Sequence, residues 1–362
     1  MSIYRDGGEK SSSARDGPRL LVLAVAADCN LRCRYCYACG GDDKTHMSWP
    51  VARRAVDLMV EHSDGFKVQF TGGEPLLNLG LVEKVLIYLE DGGVDAYCQV
   101  QTNATLISTE MADRLKRLGI GVGVSLDGLP GPNDRLRPLA DGSGSAGAAV
   151  AGIKNLGNIG IRVGMTCVLT ALNVRGLPAL VELASYLGNV DGITLDPVRP
   201  VGRAGRDMVP DPALAARYLD AAIERAEMIA RMGGHRVKFR ELERMRRILS
   251  TGRGRRYHCY FDACQSLMVT PGGEVYSCPS LLLPEFRLGD IMDPCLGTDL
   301  RDGLEHAREI IESPLRCRRC SDGWLCGGPC PAYVFSTGGD VEVECAIKGV
   351  FMRHAREAAE TR

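Results

Sequence analysis

Leu20-Leu-Val-Leu-Ala-Val-Ala-Ala27, then Asp28, then Cys29-Asn-Leu-Arg-Cys33-Arg-Tyr-Cys36: an apolar run gives way, after one acidic residue, to three closely spaced thiols. The apolar run reads as a strand, and the same texture repeats outward from it. Further strand-like runs lie at Phe66–Thr71, Tyr97–Thr102, Gly121–Leu126, Arg162–Thr170 and Gly192–Asp196. Between them, helical periodicity covers 50–62, 81–90, 109–118, 147–157 and 177–188, and a longer helix is expected at 212–232. Regular alternation of strand and helix means parallel βαβ units with right-handed crossovers. The class is therefore α/β. Six such units fit either an open partial barrel or a doubly wound sheet, and periodicity does not separate the two.

Composition narrows the function classes. The chain has 362 residues, 45% hydrophobic and 25% charged, which is ordinary for a globular protein and too apolar for a disordered one. Lys and Arg number 44 against 45 Asp and Glu, so the net charge of −1 gives no global pull toward nucleic acid or a membrane surface. No apolar run reaches the length of a membrane span. Residues 20–27 behind Arg15 and Arg19 imitate a signal-peptide core, but Glu9 and Asp16 spoil the positive leader, and a cysteine array follows at once. A cytoplasmic location is expected. Residues 1–18 read as a disordered tail, 19–232 as the α/β domain, 233–256 as a basic helical linker, 257–350 as a cysteine-rich domain and 351–362 as a C-terminal tail or helix.

Fifteen cysteines in a cytosolic chain point to metal or catalysis, because that compartment keeps thiols reduced. Cys98 and Cys167 lie in strand-like runs and read as small buried hydrophobes. Cys39 and Cys295 are open to either reading. Cys29, Cys33 and Cys36 leave the first strand, where the loops of an α/β barrel carry its active site. Structural zinc and ordinary iron–sulfur clusters take four ligands, so three thiolates leave one metal position open for chemistry. The alternative is a closed site with Cys39 as the fourth ligand.

The CxxxCxxC array with aromatic Tyr35 resembles the signature of the radical SAM enzymes. Gly72-Gly73-Glu74-Pro75 after the second strand is similar to that family's GGEP motif. Gln101-Thr102-Asn103 and Ser125-Leu126-Asp127-Gly128 match in order after the third and fourth strands. The resemblance covers roughly residues 19–230 and implies a partial (β/α)6 TIM-like barrel. It also implies a [4Fe–4S] cluster on Cys29, Cys33 and Cys36 with one iron free for S-adenosylmethionine (SAM). On this reading Gly72 and Gly73 admit the methionine part closely, and Glu74 accepts from its ammonium group. Ser125 contacts ribose or carboxylate, Asn103 orders the pocket, and the bland alternative for both is turn formation. Reductive cleavage of SAM would yield a 5′-deoxyadenosyl radical that abstracts hydrogen from the substrate. The final proton donor or acceptor is unknown: Asp127, Asp134 and Arg137 lie in a suitable loop but read as structural.

From Tyr257 onward Gly, Pro and Cys replace periodicity, and metal is expected to supply what a core does not. The spacing Cys259-x4-Cys264-x8-Gly273-x4-Cys278, then Cys317-x2-Cys320-x5-Cys326-x3-Cys330 and Cys345, has only one zinc-ribbon pair. Cys326-Gly-Gly-Pro-Cys330-Pro-Ala-Tyr and the hairpin-like Val269–Cys278 resemble the SPASM extension of peptide-modifying radical SAM enzymes. That resemblance implies two auxiliary [4Fe–4S] clusters, on Cys259, Cys264, Cys278 and Cys330 and on Cys317, Cys320, Cys326 and Cys345. With all eight ligands present, both clusters are expected to be fully coordinated and to transfer electrons, for three clusters in all.

The implied function is a maturase of a ribosomally made precursor peptide, served by an external donor of flavodoxin or ferredoxin type and binding neither nucleic acid nor membrane. Many such maturases carry a leader-binding domain ahead of the barrel, where this chain has only residues 1–18. Leader recognition is then expected from a separate protein, from the auxiliary-cluster domain, or from residues 231–256, which hold ten Lys and Arg against Glu241 and Glu243. One alternative is an anaerobic sulfatase-maturing enzyme, whose relatives place an Asp after the third cysteine of the extension; here Pro279 stands there. Another is a heme- or quinone-cofactor biosynthesis enzyme. A non-enzymatic iron–sulfur carrier explains the cysteines but not Gly72–Pro75.

Overall fold

The computed structural model describes residues 17–360, so positions 1–16 of the tail read at 1–18 lie outside the described residues, as do 361–362. Six strands appear close to where the sequence places them: β1 (Leu20–Ala26), β2 (Phe66–Gly72), β3 (Ala96–Thr102), β4 (Gly121–Ser125), β5 (Val163–Leu169) and β6 (Val190–Pro197). Between them run α1 (Trp49–His62), α2 (Leu79–Asp91), α3 (Thr109–Arg117), the paired α4 (Pro130–Leu136) and α5 (Ala146–Asn158), and α6 (Leu177–Leu187). Local chemistry sets several boundaries. Pro50 opens α1, Ser108 caps α3 by accepting from the Met111 N–H at 3.2 Å, and α6 stops at Gly188 with φ of +74°.

These six strands pair in parallel and in sequential order, each crossover stepping one place in the same direction. A doubly wound sheet reverses its order at a switch point. This sheet does not, so the architecture is the partial (β/α)6 barrel. Along β2 to β6 the faces alternate. Val68, Phe70, Val100, Val124, Met165 and Leu169 are buried in the main core, while Gln69, Thr71, Gln99, Gln101, Ser125, Thr166 and Thr194 on the other side keep partial exposure. That second face is a polar trough, in which the Gln101 amide lies over Gly123 and the Arg240 guanidinium over Gly164.

The C-terminal third departs from expectation in two ways. The basic stretch read as a linker contributes β7 (Lys238–Phe239), which extends the sheet beyond β6, and α8 (Arg240–Thr251), which buries Leu242, Met245 and Ile248. It follows α7 (Pro212–Arg231) and is part of the barrel wall. Its cations are largely spent on neighbours: Arg246 on Glu227 and Glu243 at 2.9 Å, Arg255 on Glu241 at 2.6 Å.

Next, β8 (Ser266–Val269) pairs in parallel with β1 over four residues, and β9 (Glu274–Tyr276) and β10 (Arg287–Asp290) follow antiparallel. The result is one ten-stranded sheet, ordered β10-β9-β8-β1-β2-β3-β4-β5-β6-β7. The cysteine-rich region also has the apolar core that composition did not suggest. Phe261, Met268, Tyr276, Leu281, Phe286, Ala307 and Ile311 pack with Val22 and Ala24 of β1. Short helices α9 (Leu300–Glu309), α10 (Leu315–Arg318), α11 (Gly323–Cys326) and α12 (Pro331–Thr337) follow, with Cys317 in α10, Cys326 in α11 and Cys330 capping α12; α13 (Glu342–Glu360), which holds Cys345, returns to pack on α7 and α8. Among the described residues no helix is long and apolar enough to cross a membrane.

Candidate active site

The first array occupies the loop that leaves β1 at Ala26. Cys29 is buried, Cys33 and Cys36 partly so. The Cys29 sulfur accepts from the Leu31 N–H at 3.4 Å, and the Cys36 sulfur accepts from the Gly40 N–H at 3.3 Å. Gly40 sits where the pieces meet: a Cβ there would stand 3.1 Å from Gly73 Cα, 3.4 Å from Cys29 Cβ and 3.7 Å from Cys36 Sγ. Burial pushes the Cys29 thiol up to about 12, and the Cys33 and Cys36 sulfurs push the same way. Burial also raises Cys33, with Arg137 and Arg203 pulling against it. Such thiols become thiolates when a cation takes their charge, which is what metal ligation does. Cys39, with φ of +48°, turns its thiol onto the Cys36 carbonyl at 3.9 Å.

The strand ends brace this loop. Gly72 has φ of +131°, and a Cβ on it would lie 2.2 Å from the Ala26 carbonyl oxygen; on Gly73 it would lie 2.1 Å from that of Asp28. The two glycines thus admit the cysteine loop itself. Glu74 is fully buried and takes three donors: Thr102 Oγ1 at 2.6 Å and the Leu76 N–H at 3.2 Å on Oε1, and the Asn103 N–H at 2.9 Å on Oε2. A carboxylate offers about four lone-pair positions, leaving one free. Burial pushes Glu74 up, while these donors hold it down. Asn103 donates from Nδ2 to Asn30 Oδ1 at 2.9 Å, tying β3 to the array. Ser125 accepts from Gln101 Nε2 at 3.0 Å on the polar trough.

Asp127, Arg137 and Tyr35 form a buried unit beside Cys33. The Tyr35 hydroxyl donates to Asp127 Oδ2, Arg137 Nη1 donates to that hydroxyl at 2.5 Å, and the Val168 N–H donates to Asp127 Oδ1 at 2.9 Å. Asp134 accepts from the Ala146 N–H at 2.7 Å at the start of α5. All three loop residues thus hydrogen-bond within the protein framework.

A clasp went unread in the sequence. After β6, Arg203 donates from Nη2 to the carbonyls of Cys39 at 3.1 Å and Gly40 at 3.2 Å, and it pairs with Asp42. Its own N–H donates to the Cys36 carbonyl at 3.2 Å. Gly202, with φ of +61°, packs so close that a Cβ would lie 2.4 Å from that oxygen. Gly202-Arg203 at a C-terminal strand end was the available signal.

In the second array, Cys259, Cys278 and Cys330 share one neighbourhood. Burial raises Cys259 to about 11 and Cys278 further, and the Cys330 sulfur adds to both. Cys264, with φ of +54°, has Glu305, Arg308 and Asp262 as its charged neighbours. It lines a cavity of about 570 Å³ together with Cys317. Cys317, Cys320, Cys326 and Cys345 form the other neighbourhood: burial raises Cys317, with the remaining three sulfurs adding. Glu344 Oε2 accepts from the Cys330 N–H at 2.8 Å. The two arrays meet at Tyr37, whose hydroxyl is pushed up by burial with Cys36 and Cys278 both beside it. Among the described residues no three His, Cys, Asp or Glu converge on single-ion geometry. Cys295 is exposed, and Cys167 is in the main core.

The sequence profile of the Radical SAM superfamily matches residues 24–184. An uncharacterized protein of Methanocaldococcus jannaschii is 34% identical over 270 residues, 74% of this chain and 86% of the relative. Fe-coproporphyrin III synthase of Methanosarcina barkeri is 34% identical over 173 residues, 47% of this chain and 42% of that one. Mycofactocin maturase MftC of Mycobacterium tuberculosis is 27% identical over 343 residues, 91% and 82% of the two chains. Among solved structures, anSMEcpe with bound AdoMet superposes with a TM-score of 0.74 at 20% identity, over 93% of this chain and 99% of that one. On the profile match and the 34% identity that runs over most of both chains, the chain belongs to the radical SAM superfamily.

Proposed function

We propose that this chain is a peptide-modifying radical SAM enzyme acting on a ribosomally made precursor peptide, to form a thioether, carbon–carbon or carbon–oxygen crosslink or another oxidation. Family membership implies SAM and one [4Fe–4S] cluster, which when bound supply a 5′-deoxyadenosyl radical able to take hydrogen from an unactivated C–H bond. The donor set fits that group: one buried and two partly buried thiols on a single loop, with N–H donors to the Cys29 and Cys36 sulfurs and both of those residues against Gly40. Cys29, Cys33 and Cys36 would hold the cluster, with SAM against Gly72, Gly73, Glu74, Asn103 and Ser125. Arg203 and Asn103 keep the loop in place, and the polar trough of Gln69, Gln99, Gln101 and Thr166 offers amide and hydroxyl groups to a peptide main chain. Cys259, Cys264, Cys278 and Cys330 would hold one auxiliary cluster, and Cys317, Cys320, Cys326 and Cys345 the other. A one-electron donor of flavodoxin or ferredoxin type and a separate leader-binding protein complete the reading.

The observation that carries it is coverage. Similarity to the mycofactocin maturase runs over 91% of this chain, whereas the Fe-coproporphyrin III synthase matches 47% at higher identity. That higher identity is what favours a heme-biosynthesis reading as the second. Pro279, which neither gives nor takes a proton, argues against formylglycine formation.

The test is anaerobic reconstitution followed by turnover with SAM and dithionite. About twelve irons per chain with matching sulfide and no zinc are expected for three four-iron clusters. The product of a short reading frame beside the gene should lose two hydrogens by mass as 5′-deoxyadenosine accumulates. Formation of Fe-coproporphyrin III from a tetrapyrrole precursor, with the peptide left untouched, would overturn the peptide reading in favour of the second.

A further inference from the structure

Arg199 lies in the segment after β6, with its side chain only 15% exposed. Asp196 grips its guanidinium twice, Nη2 to Oδ1 at 2.6 Å and Nη1 to Oδ2 at 3.1 Å. The same Nη2 is 3.9 Å from the Cys330 sulfur, and Nε is buried with no hydrogen-bond partner among the described residues. Cys330 is fixed independently, because Glu344 accepts from its N–H. The guanidinium is a rigid planar fork held at both Nη atoms, so it stays over the sulfur when charge there changes. The charged groups around it are Asp196 and Glu344, the latter 3.9 Å from Lys348.

We infer that Arg199 raises the reduction potential of the auxiliary cluster ligated by Cys330, through its Nη2–H to sulfur contact and its fixed positive charge. The inference rests on the reading of Cys259, Cys264, Cys278 and Cys330 as that cluster's ligands. Reduction adds one electron, and therefore one negative charge, to the cluster. A cation and a donor at a ligand sulfur stabilise that extra charge. Asp196 opposes it, since its carboxylate offsets part of the Arg199 charge. Arg199 is a positioning residue here: it acts on the cluster through Cys330 and makes no claim on substrate.

The experiment titrates the reconstituted full-length enzyme with titanium(III) citrate, which gives one electron per cluster and becomes titanium(IV), while EPR follows each cluster. Arg199→Met should lower one midpoint and leave the others in place, Arg199→Lys should lower it less, and Asp196→Asn should raise it. A merely structural role would not give shifts of opposite sign. Unchanged midpoints at full iron content would overturn the inference and leave the cluster assignment standing. Loss of about four irons from both Arg199 variants would also overturn it, making Arg199 scaffold. A wild-type chain holding only about four irons would overturn the assignment itself, and this inference with it.

Discussion

Arg137 and Asp127 are both nearly enclosed, 3.8 Å apart, with the Tyr35 hydroxyl wedged between them. Removing one member of a buried ion pair strands the other without solvent, at a cost of about 3–5 kcal/mol. Arg137→Met should therefore lower the unfolding free energy by roughly that amount in urea titrations, and Tyr35→Phe by about 1–3 kcal/mol. Equal effects of the two would refute the ion-pair account. Gly202→Ala makes a different prediction. The new Cβ meets the Cys36 carbonyl at 2.4 Å in a left-handed backbone, so the variant should lose the first cluster's irons and keep the rest. Cys295→Ala should lose none, and a loss of four would displace one of the eight assigned ligands. The residue types of this site were legible because each stands in an ordered motif. The partners of Asn103 and Asp127, residues that the sequence reads as ordering and structural, were not, since Asn30 and Tyr35 are far away in sequence.

At the scale of elements, α13 is held to α7 through Asp220, which accepts from His354 Nε2 at 2.6 Å and Arg353 Nη2 at 2.9 Å. Burial alone would raise the Asp220 carboxyl, and these bonds outweigh it, holding it below its usual value. A carboxyl lowered in the folded state contributes stability above its unfolded value and loses it as pH falls through the folded one. Amide exchange in α13 should therefore quicken below about pH 4, and Asp220→Asn should abolish that step and weaken α13 at neutral pH. The first six strands and their helices were readable because apolar runs and amphipathic periods are local signals. Strand β7 was not, because two residues carry no period, and only the unpaired edge of β6 makes a strand of Lys238 and Phe239.

At the scale of the molecule, β1 is the shared element. One edge pairs with β2 and the other with β8, and its two faces feed separate apolar cores, Leu21 and Leu23 in one, Val22 and Ala24 in the other. Phe286 packs in the second core against Phe261 and Phe335. Phe286→Ala should cost about 3–5 kcal/mol, appearing first as faster hydrogen exchange across β8–β10 with β3–β5 still protected. Uniform loss of protection would mean that the two cores unfold together. The sequence by itself determined the βαβ alternation, the position of three thiols at the end of β1, and the two cysteine arrays, because strand, helix and ligand spacing are all local. Only the tertiary structure decided between barrel and doubly wound sheet, joined the cysteine-rich region to β1, and set Arg199, Tyr37 and Arg203 between or across the arrays. Those outcomes depend on which edges and faces find each other across long separations, and no local pattern of residues encodes that.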